Sequence, residues 1–184
     1  MEKWQTIRTE YHYKTPFGNL RKDTCQLPDG QVIDGYYVHE YADWVNAIVL
    51  TKDGEMVFVE QYRHPANDLF LEIPAGKMEE GETPEEAIIR EVREETGYLS
   101  EKKPICLGEF FVNPAVQTNK VISFLITEAE HLVEQQLDDT EVINVHLFQM
   151  DEVEGLIERK ELSQLFSVSA YYLTKDHLKK AVVK

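Results

Sequence analysis

The sequence predicts an α+β fold built on a mixed β-sheet, and three observations carry that expectation. Runs of β-branched and aromatic residues punctuated by turn signals fill the first third of the chain. One helix stands in the middle, marked at both ends by its own capping residues. The order of elements is strands, that helix, more strands and then helices, without the regular strand–helix alternation of a parallel doubly wound sheet.

Residues 1–40 read as strands broken at Thr15-Pro16-Phe17-Gly18 and Pro28-Asp29-Gly30. A hairpin follows: Val45–Leu50 and Met56–Val59 flank Asp53-Gly54, a dipeptide suited to a tight turn with positive φ. Phe70-Leu71-Glu72-Ile73 is a short extended run stopped by Pro74. Thr83 can cap a helix over 84–96, with Pro84 at its first position, Glu86 completing a T-x-x-E capping box and Gly97 just past its end. Strands are expected near 105–112, 120–127 and 142–149, and helices near 150–159 and 163–180.

The chain has 184 residues, enough for one domain with a sizeable core, and its 42% hydrophobic content is that of a globular protein. The formal net charge of −15 argues against coating a nucleic-acid polymer, whose phosphates such a surface repels. It leaves room for a small anionic substrate, which needs only a few local cations. Cys25 and Cys106 stand apart with no metal-ligand spacing and are expected to be reduced thiols. The N-terminal residues lack an apolar signal core, and no apolar run approaches the ~20 residues that span a bilayer. No membrane partner and a cytoplasmic location are the default expectations.

The chemistry concentrates in Gly76–Tyr98, GKMEEGETPEEAIIREVREETGY. On its helix, Ile88, Ile89 and Val92 form an apolar side, while Glu91, Glu94 and Glu95 recur at i, i+3, i+4 on a neighbouring side. Like charges at this spacing destabilise a helix by ~0.2–0.5 kcal/mol each. Two of them also sit where the helix dipole disfavours negative charge. Only Arg90 and Arg93 offset them locally. Such a cluster suits a hard divalent cation, which takes oxygen ligands. Taken alone it also fits a solvated acidic face.

The full spacing decides between these. Gly76, Glu82, Arg90-Glu91-Val92, Glu94-Glu95 and Gly97 followed by a bulky apolar residue resemble the Nudix box, with Tyr98 where the family has an aliphatic residue. The resemblance implies an α/β/α sandwich with a mixed sheet and a loop–helix–loop catalytic box, preceded by an N-terminal antiparallel sheet. On that reading 1–184 is one domain, with 76–98 as the box and 1–40 as an element for dimerisation and substrate binding. The resemblance further implies that Glu91, Glu95 and the Ala75 carbonyl hold two to three Mg2+ ions, with Mn2+ as an alternative. Glu94 matches a further metal-ligand or water-activating position, Arg90 an arginine that orients the glutamates, and Glu82 a supporting residue.

The flanks narrow the branch. Gln61-Tyr62-Arg63 and Leu71-Glu72-Ile73-Pro74-Ala75-Gly76 resemble the QYR…LE-x-PAG segment of ADP-ribose and nucleotide-sugar pyrophosphatases. Arg63 is then expected at a substrate phosphate, with a surface salt bridge as its plain alternative. Glu72 is expected at substrate or water, or in a structural hydrogen bond. Pro114 falls at a proline diagnostic of the ADP-ribose branch. Asn113-Pro114-Ala115 and Asn119 nevertheless depart from its Ser-Pro-Gly pattern, which leaves ADP-ribose and GDP-mannose both open. Glu141, in Asp138-Asp139-Thr140-Glu141, matches an acidic loop that supplies a general base. Trp4 matches an N-terminal aromatic that stacks on the base, or else packs in a dimer interface. The branch implies a homodimer. The expected reaction is hydrolysis of a nucleoside diphosphate sugar to a nucleoside monophosphate and a sugar phosphate. Another nucleoside diphosphate derivative, or a non-catalytic nucleotide-sugar sensor, are the alternatives.

Overall fold

A computed structural model describes residues 1–182 and resolves them into two compact units. The first comprises Met1–Asp43 with Phe110–Val121, and the second Trp44–Glu109 with the chain from Ile122 onward.

The first unit is a three-stranded antiparallel sheet, β1 (Gln5–Thr15), β2 (Gly18–Gln26) and β3 (Val32–Glu40), in the order β1-β2-β3. Both turns fall where Pro and Gly predicted them. Gly18 starts β2 at φ +145°, and a Cβ there would lie 2.6 Å from the Tyr41 ring, so only glycine fits. Gly30 closes the second turn by donating to the Leu27 carbonyl at 2.9 Å. The residues after Asn113 dock on β3: the His39 amide donates to Val116 O at 2.8 Å and the Thr118 amide to His39 O at 3.2 Å. β1 is exposed along its whole length.

The second unit is a mixed eight-stranded sheet between helical layers. Its strands are β4 (Trp44–Thr51), β5 (Glu55–Arg63), β6 (Asp68–Glu72), β7 (Ala75–Lys77), β8 (Tyr98–Leu99), β9 (Ile105–Phe111), β10 (Lys120–His131) and β11 (Ile143–Gln149). The central order is β11-β5-β4-β10-β8, with β6 on β5, β7 on β4 and β9 on β10. The helices are α1 (Pro84–Thr96), α2 (Met150–Glu158) and α3 (Leu165–Val182).

Period-two alternation sends successive side chains to opposite faces of the sheet. Val45, Ala47 and Val49 pack with Ala87, Ile88 and Val92 of α1, whereas Ile48 packs with Val153 and Leu156 of α2 and Ala170 and Tyr171 of α3. The sheet is therefore covered on both faces, as an α/β/α sandwich requires. Each fully buried Val, Ile or Leu here contributes about 1.5–3 kcal/mol relative to exposure. The hairpin turn is as expected, with Gly54 at φ 83° donating to Thr51 O at 3.0 Å.

The differences from the sequence reading are local. β6 begins at Asp68, β10 runs on to His131, and β7 and β8 add strands too short to carry a periodic signal. Ile89 does not join the apolar side of α1; it is 45% exposed because it lies at the rim of the stripe that Ile88 and Val92 bury. Among the described residues no helix is long and apolar enough to cross a membrane.

Candidate active site

The helix that carries the carboxylates is fixed at both ends by its own sequence. The Thr83 hydroxyl accepts from the Glu86 amide at 3.3 Å, and the Glu86 carboxylate accepts from the Thr83 amide at 2.9 Å. Gly97 adopts φ 73°, and its N–H donates to Arg93 O. A Cβ at Gly97 would meet Val133 O at 2.1 Å, so the chain after β10 lies directly against this helix end.

Arg90 offsets part of the repulsion among the glutamates. Its Nε and Nη2 fork onto Glu82 at 2.8 and 3.0 Å. Nη1 donates to Glu91 at 2.8 Å and to Glu94 at 3.1 Å, and Nη2 also donates to Lys77 O at 3.0 Å. One guanidinium thus spans three carboxylates and a carbonyl, a geometry that Lys cannot reproduce. The hydrogen bonds from Arg90, and then the Glu79 amide, hold Glu82 down to about 2. The Glu82 carboxylate in turn raises the Arg90 pKa above its ordinary value.

Glu91 and Glu95 lie deeper. A Cβ at Gly76 would fall 2.0 Å from the Glu91 carboxyl carbon, so glycine is required there for close approach. Burial raises the Glu91 pKa despite the pull of Arg90. Glu95 is 5% exposed and accepts from the Ala75 amide at 3.0 Å. Burial, with the charges of Glu91 and Glu141 behind it, pushes Glu95 up to about 8, against the opposing Ala75 amide and Arg63. Glu94 is the most open of the three, with 36% of its side chain exposed.

Among the described residues no three His, Cys, Asp or Glu side chains converge as a ready metal cage. The reason is visible in the partners: Arg90 holds Glu91 and Glu94, and the Ala75 amide takes one Glu95 oxygen. The donor chemistry nonetheless fits a hard divalent cation. The available donors are carboxylate oxygens, and burial favours on Glu95 a proton that a cation would displace.

Arg63, at the end of β5, and Glu72, at the end of β6, form a bidentate pair with Nε–Oε1 at 3.1 Å and Nη2–Oε2 at 2.5 Å. The pair is part-buried, with the Glu72 side chain 5% exposed and that of Arg63 44% exposed. The Glu72 bond is the main cause of a raised Arg63 pKa, to which the charges of Glu95 and Glu141 add. Glu141 is exposed, and its charge acts on Arg63, Glu91 and Glu95 alike. The second unit therefore brings together Arg63, Glu72, Ala75, Arg90, Glu91, Glu94, Glu95 and Glu141.

Trp4 and Pro114 belong to the first unit. Trp4 is 48% exposed and meets Tyr36 edge-on at 6.0 Å, and the Tyr36 hydroxyl donates to Ala115 O at 2.6 Å. Tyr36 thus links the expected aromatic to the expected proline segment. Sequence reasoning missed it, because nothing distinguishes it from its neighbour Tyr37. Ser167 was missed as well: its buried hydroxyl accepts from the Ile73 amide at 3.1 Å, between Glu72 and Ala75.

The chain belongs to the Nudix family of pyrophosphohydrolases, since residues 40–166 match the NUDIX domain. Residues 4–39 match the nucleoside diphosphate sugar hydrolase N-terminal domain. Among characterised proteins it is similar to the ADP-ribose pyrophosphatase of Bacillus subtilis, at 31% identity over 97% of this chain and 95% of that one. It is also similar to the methanol dehydrogenase activator of Bacillus methanolicus, at 31% identity over 86% of this chain and 85% of that one. The crystal structure of an ADP compounds hydrolase superposes with a TM-score of 0.85 at 16% identity, covering 98% of this chain and 97% of that one, and shows the same fold.

Proposed function

We propose that this enzyme hydrolyses the pyrophosphate of ADP-ribose, or of a related nucleoside diphosphate sugar such as GDP-mannose, to a nucleoside monophosphate and a sugar phosphate. The observation that carries this reading is the grouping of Glu91, Glu94 and Glu95 around Arg90 and the Ala75 amide, with Arg63 and Glu141 both acting electrostatically on Glu95. The name of the Bacillus subtilis relative supports the substrate class.

Glu91, Glu95, Glu94 and the Ala75 carbonyl are the proposed ligands for two or three Mg2+ ions, with Mn2+ as a substitute. When bound, such ions neutralise the pyrophosphate charge and lower the pKa of water. Arg90 keeps the glutamates in register. Glu72 takes two of the five Arg63 donors, and the Arg63 side chain stays 44% exposed, which favours contact with a substrate phosphate. Glu141 is the favoured general base over Glu94, because Arg90 holds Glu94 beside the proposed metal ligands at 3.1 Å, whereas Glu141 stands on a separate, exposed segment.

Trp4 would stack on the nucleobase and Pro114 would contact the substrate. The strands of 1–40 would pair two copies into a homodimer and complete one domain with the rest of the chain. The test compares product release from ADP-ribose, GDP-mannose, UDP-glucose and a diadenosine polyphosphate, with Mg2+ and with chelator. Metal-dependent cleavage of a sugar nucleotide, with the diadenosine compound left intact, is the expected result. Binding without turnover across the panel would replace the reading with that of a sensor. Cleavage of the diadenosine compound alone would move it to another nucleoside diphosphate derivative.

A further inference from the structure

The last carbonyls of an α-helix have no intrahelical donors. In α1 they are met by the segment that leads to Glu141. Glu94 O accepts from the Gln136 amide at 2.9 Å, and Gly97 O from the Leu132 and Val133 amides at 3.1 and 3.3 Å. Glu95 O accepts from the side-chain amide of Gln135, whose Nε2 lies 2.5 Å away. The same Nε2 reaches Ile143 O, at the start of β11, at 3.3 Å. Two carbonyl acceptors require the nitrogen there rather than the oxygen, so the amide orientation is fixed by its partners.

One side chain therefore ties the near and far ends of the 136–142 segment to the backbone of Glu95. Between those anchors the chain turns, with the Glu141 amide on Asp138 O at 2.9 Å and the Asp138 amide on Glu141 Oε2 at 3.2 Å. No room is left at the junction, since a Cβ on Gly97 would strike Val133 O.

We propose that Gln135 is a positioning residue, whose two amide hydrogen bonds to Glu95 O and Ile143 O hold the Glu141 segment against the glutamate helix and so fix Glu141 for proton transfer. The proposal rests on the reading of Glu141 as the base. It makes the placement of the base depend on the helix that carries the candidate metal ligands, so the two parts of the site move as one.

The test is a double-variant cycle of Gln135→Met, which keeps length and removes both donors, and Glu141→Gln. It is run on whichever substrate the wild type cleaves and joined to amide hydrogen exchange. Gln135→Met is expected to lower kcat on the order of tenfold with little change in KM, as loss of positioning does. Glu141→Gln is expected to lower it on the order of 10²-fold or more. The double variant should be no slower than Glu141→Gln alone, and exchange at the Gln136 amide should accelerate in Gln135→Met. Wild-type kcat in Gln135→Met, or losses that multiply in the double variant, would overturn the proposal. Full activity in Glu141→Gln would overturn it too, by removing the base on which it rests. Cleavage by the wild type would still stand as hydrolysis in that case.

Discussion

Replacing Glu95 by Gln removes the ionisable group of a buried carboxyl of the site while keeping an oxygen for the Ala75 amide. In the metal-free protein the Glu95 carboxyl is pushed up from 4.5 to about 8 by burial first, then by Glu91 and Glu141. The unfolded chain releases this proton above 4.5, whereas the folded chain keeps it until about 8. Stability tied to this group is therefore fully present below pH 4.5 and is lost as pH rises through 8. Between 4.5 and 7 the loss is about 3 kcal/mol, at 1.36 kcal/mol per unit. For a chain of this size that corresponds to roughly 6–12 °C in Tm. Glu95→Gln abolishes the term, so melts of chelated protein should give a variant whose Tm falls less between pH 5 and 7 than the wild type's. Glu82, held down to about 2 when folded, is mostly ionised in both states above pH 5 and contributes little there, and it is common to both proteins. A divalent cation should replace the proton, raising the wild-type Tm at pH 7 far more than the variant's. Parallel pH dependence in the two proteins would refute the burial argument for Glu95.

Three further outcomes follow from single contacts. Gly76→Ala puts a Cβ 2.0 Å from the Glu91 carboxyl carbon, so kcat should fall by on the order of 10²-fold, at an overpacking cost of about 1–3 kcal/mol. Steady-state rates and melts check this, and unchanged activity would mean that Glu91 can move freely. Arg90→Lys keeps the charge but loses the fork to Glu82, and a drop of about 2 kcal/mol in stability with most activity lost is expected from denaturant titration and kinetics. Ser167→Ala leaves the buried Ile73 amide without its acceptor and should cost about 1–3 kcal/mol, measured by urea unfolding.

The sequence and the structure agree most closely where the determinants are local. Thr83, Pro84, Glu86 and Gly97 define α1 within one stretch of chain, and each acts as its residue type predicts. The spacing of Glu91, Glu94 and Glu95 likewise placed them together on one side of the helix, and the family resemblance named Arg90 as the residue that orients them. Its reach to Glu82 and Lys77 O could not, because that depends on how the loop before the helix folds back. Ile89 was misassigned because helical periodicity marks a stripe but not its rim. β7 and β8, at three and two residues, are too short for alternation to register. The contacts of Ser167 with Ile73 and of Gln135 with Glu95 join residues 94 and 40 positions apart, and no sequence pattern announces them. Tyr36 is of the same kind, a hydroxyl reaching Ala115 across 79 positions.

The most direct test of the account is to incubate wild type and Glu95→Gln with ADP-ribose in Mg2+ and, separately, in chelator, and to separate the products. The account predicts AMP and ribose 5-phosphate from the wild type in Mg2+ alone, with little of either from the variant. Equal product from both proteins, or cleavage by the wild type that persists in chelator, would contradict it.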